Sequence, residues 1–279
     1  MAAGKWPTWA ANHRVQAGIG VIAALAAFCY LGPLVYHTNQ VTVNLNAATL
    51  PPGAGHPLGT DGDGYDVLGR LMVGGRSSLE LGFAVAAATT VIGTLYGAIA
   101  GWAGGIVDAV MMRAIDTFLA LPTLVLLLLL VTIFTPDLLS VILLLTALSW
   151  LGTARLVRGQ ILTLRTREYV QAAKTLGGGQ WWIIRRHLVP NAFGVIIVSA
   201  TFTIADAILM LSVLSFLGLG LPPPAADWGS MLTNGLDYLF DGYWWMVYPP
   251  AVILVITLIA FNLIGDATRD SLDVRLRQR

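Results

Sequence analysis

The sequence predicts an all-α membrane protein of six transmembrane helices. Charged residues make up 11% of its 279 residues and hydrophobic ones 56%, whereas soluble domains carry about 25% charged residues. Six apolar stretches are each long enough to cross about 30 Å of hydrocarbon as a helix, which takes roughly 20 residues. Continuous apolar runs such as Leu124 to Val131 lack the alternation of a β-barrel, the other structure that satisfies its backbone in lipid.

The spans are predicted near 15–36, 79–101, 115–135, 138–157, 192–219 and 245–265. The first follows Lys5, His13 and Arg14 without a small-residue cleavage site, so it reads as a retained span rather than a signal peptide. The second carries Gly93, Gly97, Gly101 and Gly105 at four-residue spacing. That spacing leaves a bare stripe along one helix face where another helix approaches closely, a packing feature. Pro222 to Pro224, after Gly218-Leu219-Gly220, stop the fifth span and mark an external cap. Residues 1–78 therefore form a tail, the first span and an external segment, and 79–279 a five-helix core with a long connection over about 158–190.

Orientation follows from lysine and arginine, which stay on the cytoplasmic side. With the N-terminus inside, the inner segments hold Lys5, Arg14, Arg113, Arg155, Arg158, Arg165, Arg167, Lys174, Arg185, Arg186, Arg269, Arg275, Arg277 and Arg279, and the outer ones only Arg70 and Arg76. The outer connections are acidic and aromatic instead, with Asp61, Asp63, Asp66, Asp227, Trp228 and Trp244 among them. Both termini are thus expected in the cytoplasm of a cell-membrane protein.

Several function classes are excluded or disfavoured. A formal net charge of +1 argues against nucleic acid, whose binders concentrate a basic excess. The single cysteine, Cys29, allows no internal disulfide. His13, His37, His56 and His187 lack metal-ligand spacing, and no nucleophile, base and orienting group come together. The P-loop needs Gly-Lys followed by Ser or Thr, but Lys5 precedes Trp6 and Lys174 follows Ala173. No cofactor and no catalysis are therefore expected in this chain. Ionisable groups inside spans point to function: Asp206 lies well within the fifth span, either in a substrate cavity or in an interhelical hydrogen bond, whereas Asp116 and Asp266 lie near the cytoplasmic ends.

The connection from Arg165 to Asn191 holds the strongest pattern. Glu168, Tyr169, Ala172, Ala173 and Leu176 start and follow a helical repeat, Gly177 to Gly179 break it, and a second short helix fits Gln180 to Leu188 before Pro190. Two short helices about a glycine turn make a knob. An apolar face on it calls for a covering protein, although the residues alone leave a basic, solvated loop open.

Gln171-Ala172-Ala173, then Gly177, then His187-Leu188-Val189-Pro190 resembles the EAA loop of ABC-importer permeases. Glutamate is usual at position 171 and isoleucine common at 187. Leu58 to Arg70 with Gly75-Arg76-Ser77-Ser78-Leu79, Leu214 to Pro223 with Trp228 to Leu232, and Phe261 to Asp273 are similar to the C-type subunit of dipeptide, oligopeptide and nickel permeases. The four stretches follow in order and cover most of the chain from residue 58.

The resemblance implies a type I ABC-importer permease fold. It implies a heterodimer with a homologous B-type permease, two cytoplasmic ATPase subunits that use ATP and Mg, and an extracytoplasmic solute-binding protein. It also implies that the loop around Gly177 sits in a groove of the ATPase. Peptide is the implied cargo, with nickel chelate, haem or another small solute as alternatives. A secondary transporter or channel is the rival class, but it would show paired broken helices and more midplane carboxylates. The chain departs from the family at Tyr65, where arginine is usual, and at Leu211, where glutamate is frequent. Asp206 replaces that glutamate only in part, since five residues along a helix turn about 140°.

Overall fold

A computed structural model describes residues 12–38, 42–134 and 137–277. The tail with Lys5, and Arg279, lie outside these residues. Among the described residues the chain is helical, with no β-strand. Among the described residues five helices are long and apolar enough to cross a membrane, and a bent pair brings the number to six where it is counted as one span.

Local sequence accounts for most boundaries. Helix α1 (His13–Val35) starts where the Asn12 side chain accepts the Arg14 N–H at 3.0 Å. Helix α2 (Val67–Ala103) starts at Asp66, whose Oδ1 accepts the Gly69 N–H at 2.7 Å, the orphan donor that a helix N-cap satisfies. It ends at Gly104, whose φ of +66° only glycine adopts readily. The second span, expected over 79–101, is therefore longer, and residue 78 lies inside a helix. Its first three turns hold Arg70, Arg76 and three glycines, and so read as a loop by hydropathy. Gly105 belongs to the next helix and not to the glycine stripe.

The third span is not one straight helix over 115–135. It is α3 (Gly105–Leu119) and α4 (Thr123–Ile133), bent by 77° at Ala120-Leu121-Pro122. Proline disfavours helical geometry in the residue before it and cannot donate to the turn behind it. Helix α5 (Leu138–Leu164) starts at Asp137, which accepts the Ser140 N–H at 2.7 Å. Two short helices follow, α6 (Glu168–Thr175) and α7 (Gln180–Ile183).

The second loop helix does not stop at Pro190 as expected. Ile184 to Leu188 form a π turn in which the Val189 N–H donates to the Ile184 carbonyl five residues back. Helix α8 (Val189–Phe216) continues from it, with Pro190 in the first turn of its own α-helical register. Residues 180–216 thus form one rod of 37 residues, about 55 Å at 1.5 Å per residue. Helix α9 (Trp228–Leu236) opens with an Asp227 and Ser230 capping box, and α10 (Tyr248–Arg277) closes the bundle.

Helix α2 is the central post. Its glycine stripe lies against α5, and Gly82 lies against Ile204 and Ile208 of α8. Gly265 of α10 meets the Phe202 ring of α8, and Gly18 of α1 meets Ile264 of α10. One end of the bundle is capped by the segments after α1 and α8. There the fully buried Trp228 donates its indole N–H to the Leu71 carbonyl at 3.0 Å, and Trp245 donates to that of Thr60 at 3.1 Å. Arg70 reaches the Pro224 carbonyl at 2.9 Å and lies over the Tyr65 ring, which gives this chain's Tyr65 a cation–π role. The opposite end holds the start of α1, the end of α10 and the knob.

Candidate functional site

The knob is built on α6. Glu168 sits in its first turn and Lys174 in its last, each sign placed favourably for the helix dipole. The helix closes with two return bonds, Gly178 N–H to the Ala173 carbonyl and Gly177 N–H to that of Lys174. These are the paired bonds of a Schellman cap, which requires a left-handed residue at position 177. Gly177 supplies it with φ +83°.

The knob is seated firmly. Val170, Ile183 and Leu188 are buried in one cluster with Ala98 of α2 and Val157 and Ile161 of α5. Arg165 donates to the Gly101 carbonyl at 3.0 Å, and the Lys174 ammonium lies 5.9 Å from the Trp102 ring. Beside it, Arg158 of α5 grips Asp108 of α3 with two bonds of 2.7 and 2.6 Å, and Arg155 pairs with Asp116 at 2.6 Å. Asp116, expected near the cytoplasmic end, is thus an ion-pair partner that holds α3 to α5.

One uncovered face of the knob is apolar. Tyr169, Ala172, Ala173, Gly177 and His187 line one groove of about 460 Å³, joined by Leu176 and Trp182. Leu176 is 88% exposed and Trp181 64%. The His187 and Trp182 rings pack edge to face with centroids 4.9 Å apart. The structure therefore brings five of the eight loop residues singled out from sequence into one surface. Glu168 and Pro190 lie outside it, and Gln171 lines a separate depression, its side chain donating to the Arg165 carbonyl at 2.8 Å. Sequence reading did not single out Trp182 as a lining residue, because five residues along the expected α-helix turn about 140°, whereas the π turn over Ile184–Leu188 changes that register. The signal was its place five residues before His187 on one rod.

A second groove, of about 630 Å³, runs between α5, α8 and α10. Its polar lining comes from two helical stripes, Ser149, Thr153 and Gln160 on α5 and Ser199, Thr203 and Asp206 on α8, with Arg269 from α10. The Thr153 and Ser199 hydroxyls are 3.1 Å apart, and that of Thr203 donates to the Ser199 carbonyl. Asp206 has no hydrogen bond or ion pair among the described residues. The stripes were legible as polar residues recurring every three or four positions in apolar helices, but only Asp206 was singled out. Leu211, by contrast, is fully buried in the cluster of Leu81, Leu127 and Leu145, so position 211 faces the interior of this bundle while Asp206 faces the groove. Gly93, Gly97 and Gly101 line neither groove and pack on α5, Gly93 against the back of Thr153.

Comparison with known proteins agrees with this architecture. A sequence profile described as binding-protein-dependent transport system inner membrane component matches residues 93–278. The chain is 41% identical, over 98% of its length and 85% of the relative's, to the dipeptide transport system permease protein DppC of Bacillus subtilis (strain 168). It is 39% identical to the oligopeptide transport system permease protein OppC of the same organism, over 96% of this chain and 87% of that one. It is also 39% identical to the probable D,D-dipeptide transport system permease protein DdpC of Escherichia coli (strain K12), over 91% and 85%. With its helical bundle, its apolar spans and these matches, the chain belongs to the inner-membrane components of binding-protein-dependent transport systems, the multi-pass permease subunits of ABC importers with the type I fold.

Proposed function

We propose that this chain forms half of the translocation pathway of an ATP-driven peptide importer. The observation that carries the reading is mechanical: the uncovered apolar groove of the knob and the polar groove at Asp206 are built on the same rod, residues 180–216. A partner that moves the knob moves one wall of the groove. Rigid-body rocking of a helical bundle about such a lever is a known way to alternate access. The chain does no covalent chemistry in this scheme. Two ATPase subunits on the cytoplasmic side consume ATP and Mg, a homologous B-type permease supplies the other half of the pathway, and an extracytoplasmic binding protein delivers the cargo. The peptide assignment rests on the names of the relatives.

The knob end and both termini face the cytoplasm in this reading, because Arg14, Arg155, Arg158, Arg165, Arg167, Arg185 and Arg186 gather there while Arg70 and Arg76 stand at the other end. Asn46 and Thr175 are both exposed in the chain. In a Cys29→Ala background, Asn46→Cys should react with an impermeant thiol reagent on intact cells and Thr175→Cys should not; the reverse pattern overturns the orientation. Proteoliposomes test the function itself. Peptide uptake should require ATP and the ATPase subunits, and uptake that persists without them would replace the importer by a secondary transporter or channel.

A further inference from the structure

We propose that the groove between α5, α8 and α10 is a cargo site for short zwitterionic peptides, with Asp206 taking the ammonium terminus and Arg269 the carboxylate. The inference rests on the importer reading and adds the chemistry by which this subunit inspects its cargo.

Three of the four hydroxyls along the groove already have partners. Ser199 and Thr153 face each other at 3.1 Å, and Thr203 donates within its own helix. The two formal charges have none: among the described residues, neither Asp206 nor Arg269 has an ion pair or hydrogen bond, yet both line the same groove. A carboxylate at this depth of a span is costly unless it faces water or a cation. The lining runs from Gln160 to Ser149 along α5 and from Val195 to Asp206 along α8, about 16 Å in each case at 1.5 Å per residue. It therefore occupies the part of the helices nearer the knob and ends at Asp206.

The spacing sets the size of the cargo. Gly265 of α10 lies against the Phe202 ring, and Arg269 is one turn further toward the knob, near the level of Val198. Asp206 and Arg269 are thus separated by roughly 12 Å of helix axis. An extended peptide spans at most about 3.3–3.6 Å per residue, so the two charges suit the ends of a peptide of roughly two to four residues. A free amine meets Asp206 in a charge-assisted bond, and the planar guanidinium of Arg269 matches a carboxylate with two parallel bonds. Longer or end-blocked peptides leave one charge unpaired.

The test uses the complete complex of both permeases and the ATPases in lipid nanodiscs, without nucleotide or binding protein. Calorimetry compares tri-alanine, N-acetyl-tri-alanine and tri-alanine amide. Wild type should bind tri-alanine about tenfold or more tighter than either blocked form, the scale of a hydrogen bond to a charged group. Asp206→Asn, nearly isosteric, should erase the difference between free and acetylated peptide only, and Arg269→Gln the difference between free and amidated peptide only. Equal affinities for all three in wild type, no binding of tri-alanine, or an Asp206→Asn that weakens all three alike would overturn the proposal, the charge then serving the partner permease instead. ATP-dependent uptake by the same complexes, reconstituted in proteoliposomes with the binding protein, separates the two readings. Intact uptake with no discrimination removes this inference alone, whereas uptake that needs no ATPase removes the importer reading.

Discussion

Gly177→Asp should leave all six spans in the membrane and abolish uptake. Two effects add at this position. The residue holds φ +83° in the cap of α6, which disfavours any side chain by roughly 1 kcal/mol, somewhat less for Asp than for β-branched residues. A Cβ there would meet nothing within 4 Å, so the bundle itself does not resist the substitution. The larger effect falls on docking. The carboxylate would stand in the apolar groove beside Leu176, Trp182 and His187, and a partner covering that groove would have to desolvate an unpaired charge, at a cost of several kcal/mol. Gly177→Ala carries the backbone cost without the charge and should retain part of the uptake. Ala172→Asp carries the charge without the backbone cost, on an exposed face of the same groove, and should behave like Gly177→Asp. Ala173→Asp should be as damaging, since Ala173 also packs on the seating cluster of the knob. Co-purification of the ATPase subunits and vesicle uptake are the two readouts. Normal docking with normal uptake in all three aspartate variants would remove the coupling role from the loop.

Residue chemistry made the knob legible and hydropathy did not. The run from Tyr169 to Leu176 shows its period, Gly177 sits where a Schellman cap must have it, and the Gln-Ala-Ala spacing to Gly177 and Pro190 carries the family resemblance. Places where tertiary contacts decide were not legible. The first turns of α2 look like a loop because Arg70, Gly74, Gly75 and Arg76 depress their hydropathy, yet Asp66 caps them and Trp228 covers them. The bend at Pro122 is a change of direction inside an apolar stretch, and hydropathy reports depth, not direction. Pro190 by itself predicts a stop, but the π turn before it shifts the hydrogen-bond register and the rod continues. The groove escaped for another reason. Its serines and threonines are ordinary residues in a membrane helix, able to return their hydroxyls to their own backbone, and they gain meaning only when the stripes of α5 and α8 face each other around Asp206.

The second large effect is expected outside both grooves, at Gly97. A Cβ on Gly97 would overlap the Ala154 carbonyl oxygen and come within 2.9 Å of the Arg158 nitrogen and 3.0 Å of the Val157 Cβ. Two of these three atoms are backbone, so no rotamer change relieves the contact. Helices α2 and α5 would have to separate. Overpacking of this kind costs typically 1–3 kcal/mol for a small increment, which sets the expectation for Gly97→Ala; Gly97→Val, with two more carbons, should cost more. Separation also acts at a distance. Arg158 is the residue that grips Asp108, and Val157 and Ile161 belong to the cluster on which the knob is seated. Moving α5 therefore loosens α3 and the knob together, so Gly97→Val should lower both the thermal stability of the purified complex and its yield of bound ATPase. Gly159→Ala is the matched control on α5, because its Cβ would meet nothing within 4 Å and alanine is favoured over glycine in a helix by about 1 kcal/mol. It should leave stability unchanged or raised. Thermal unfolding followed by size exclusion in detergent reads both variants, and a Gly97→Val complex as stable as the control would show that the stripe is not the close contact that holds α2 to α5.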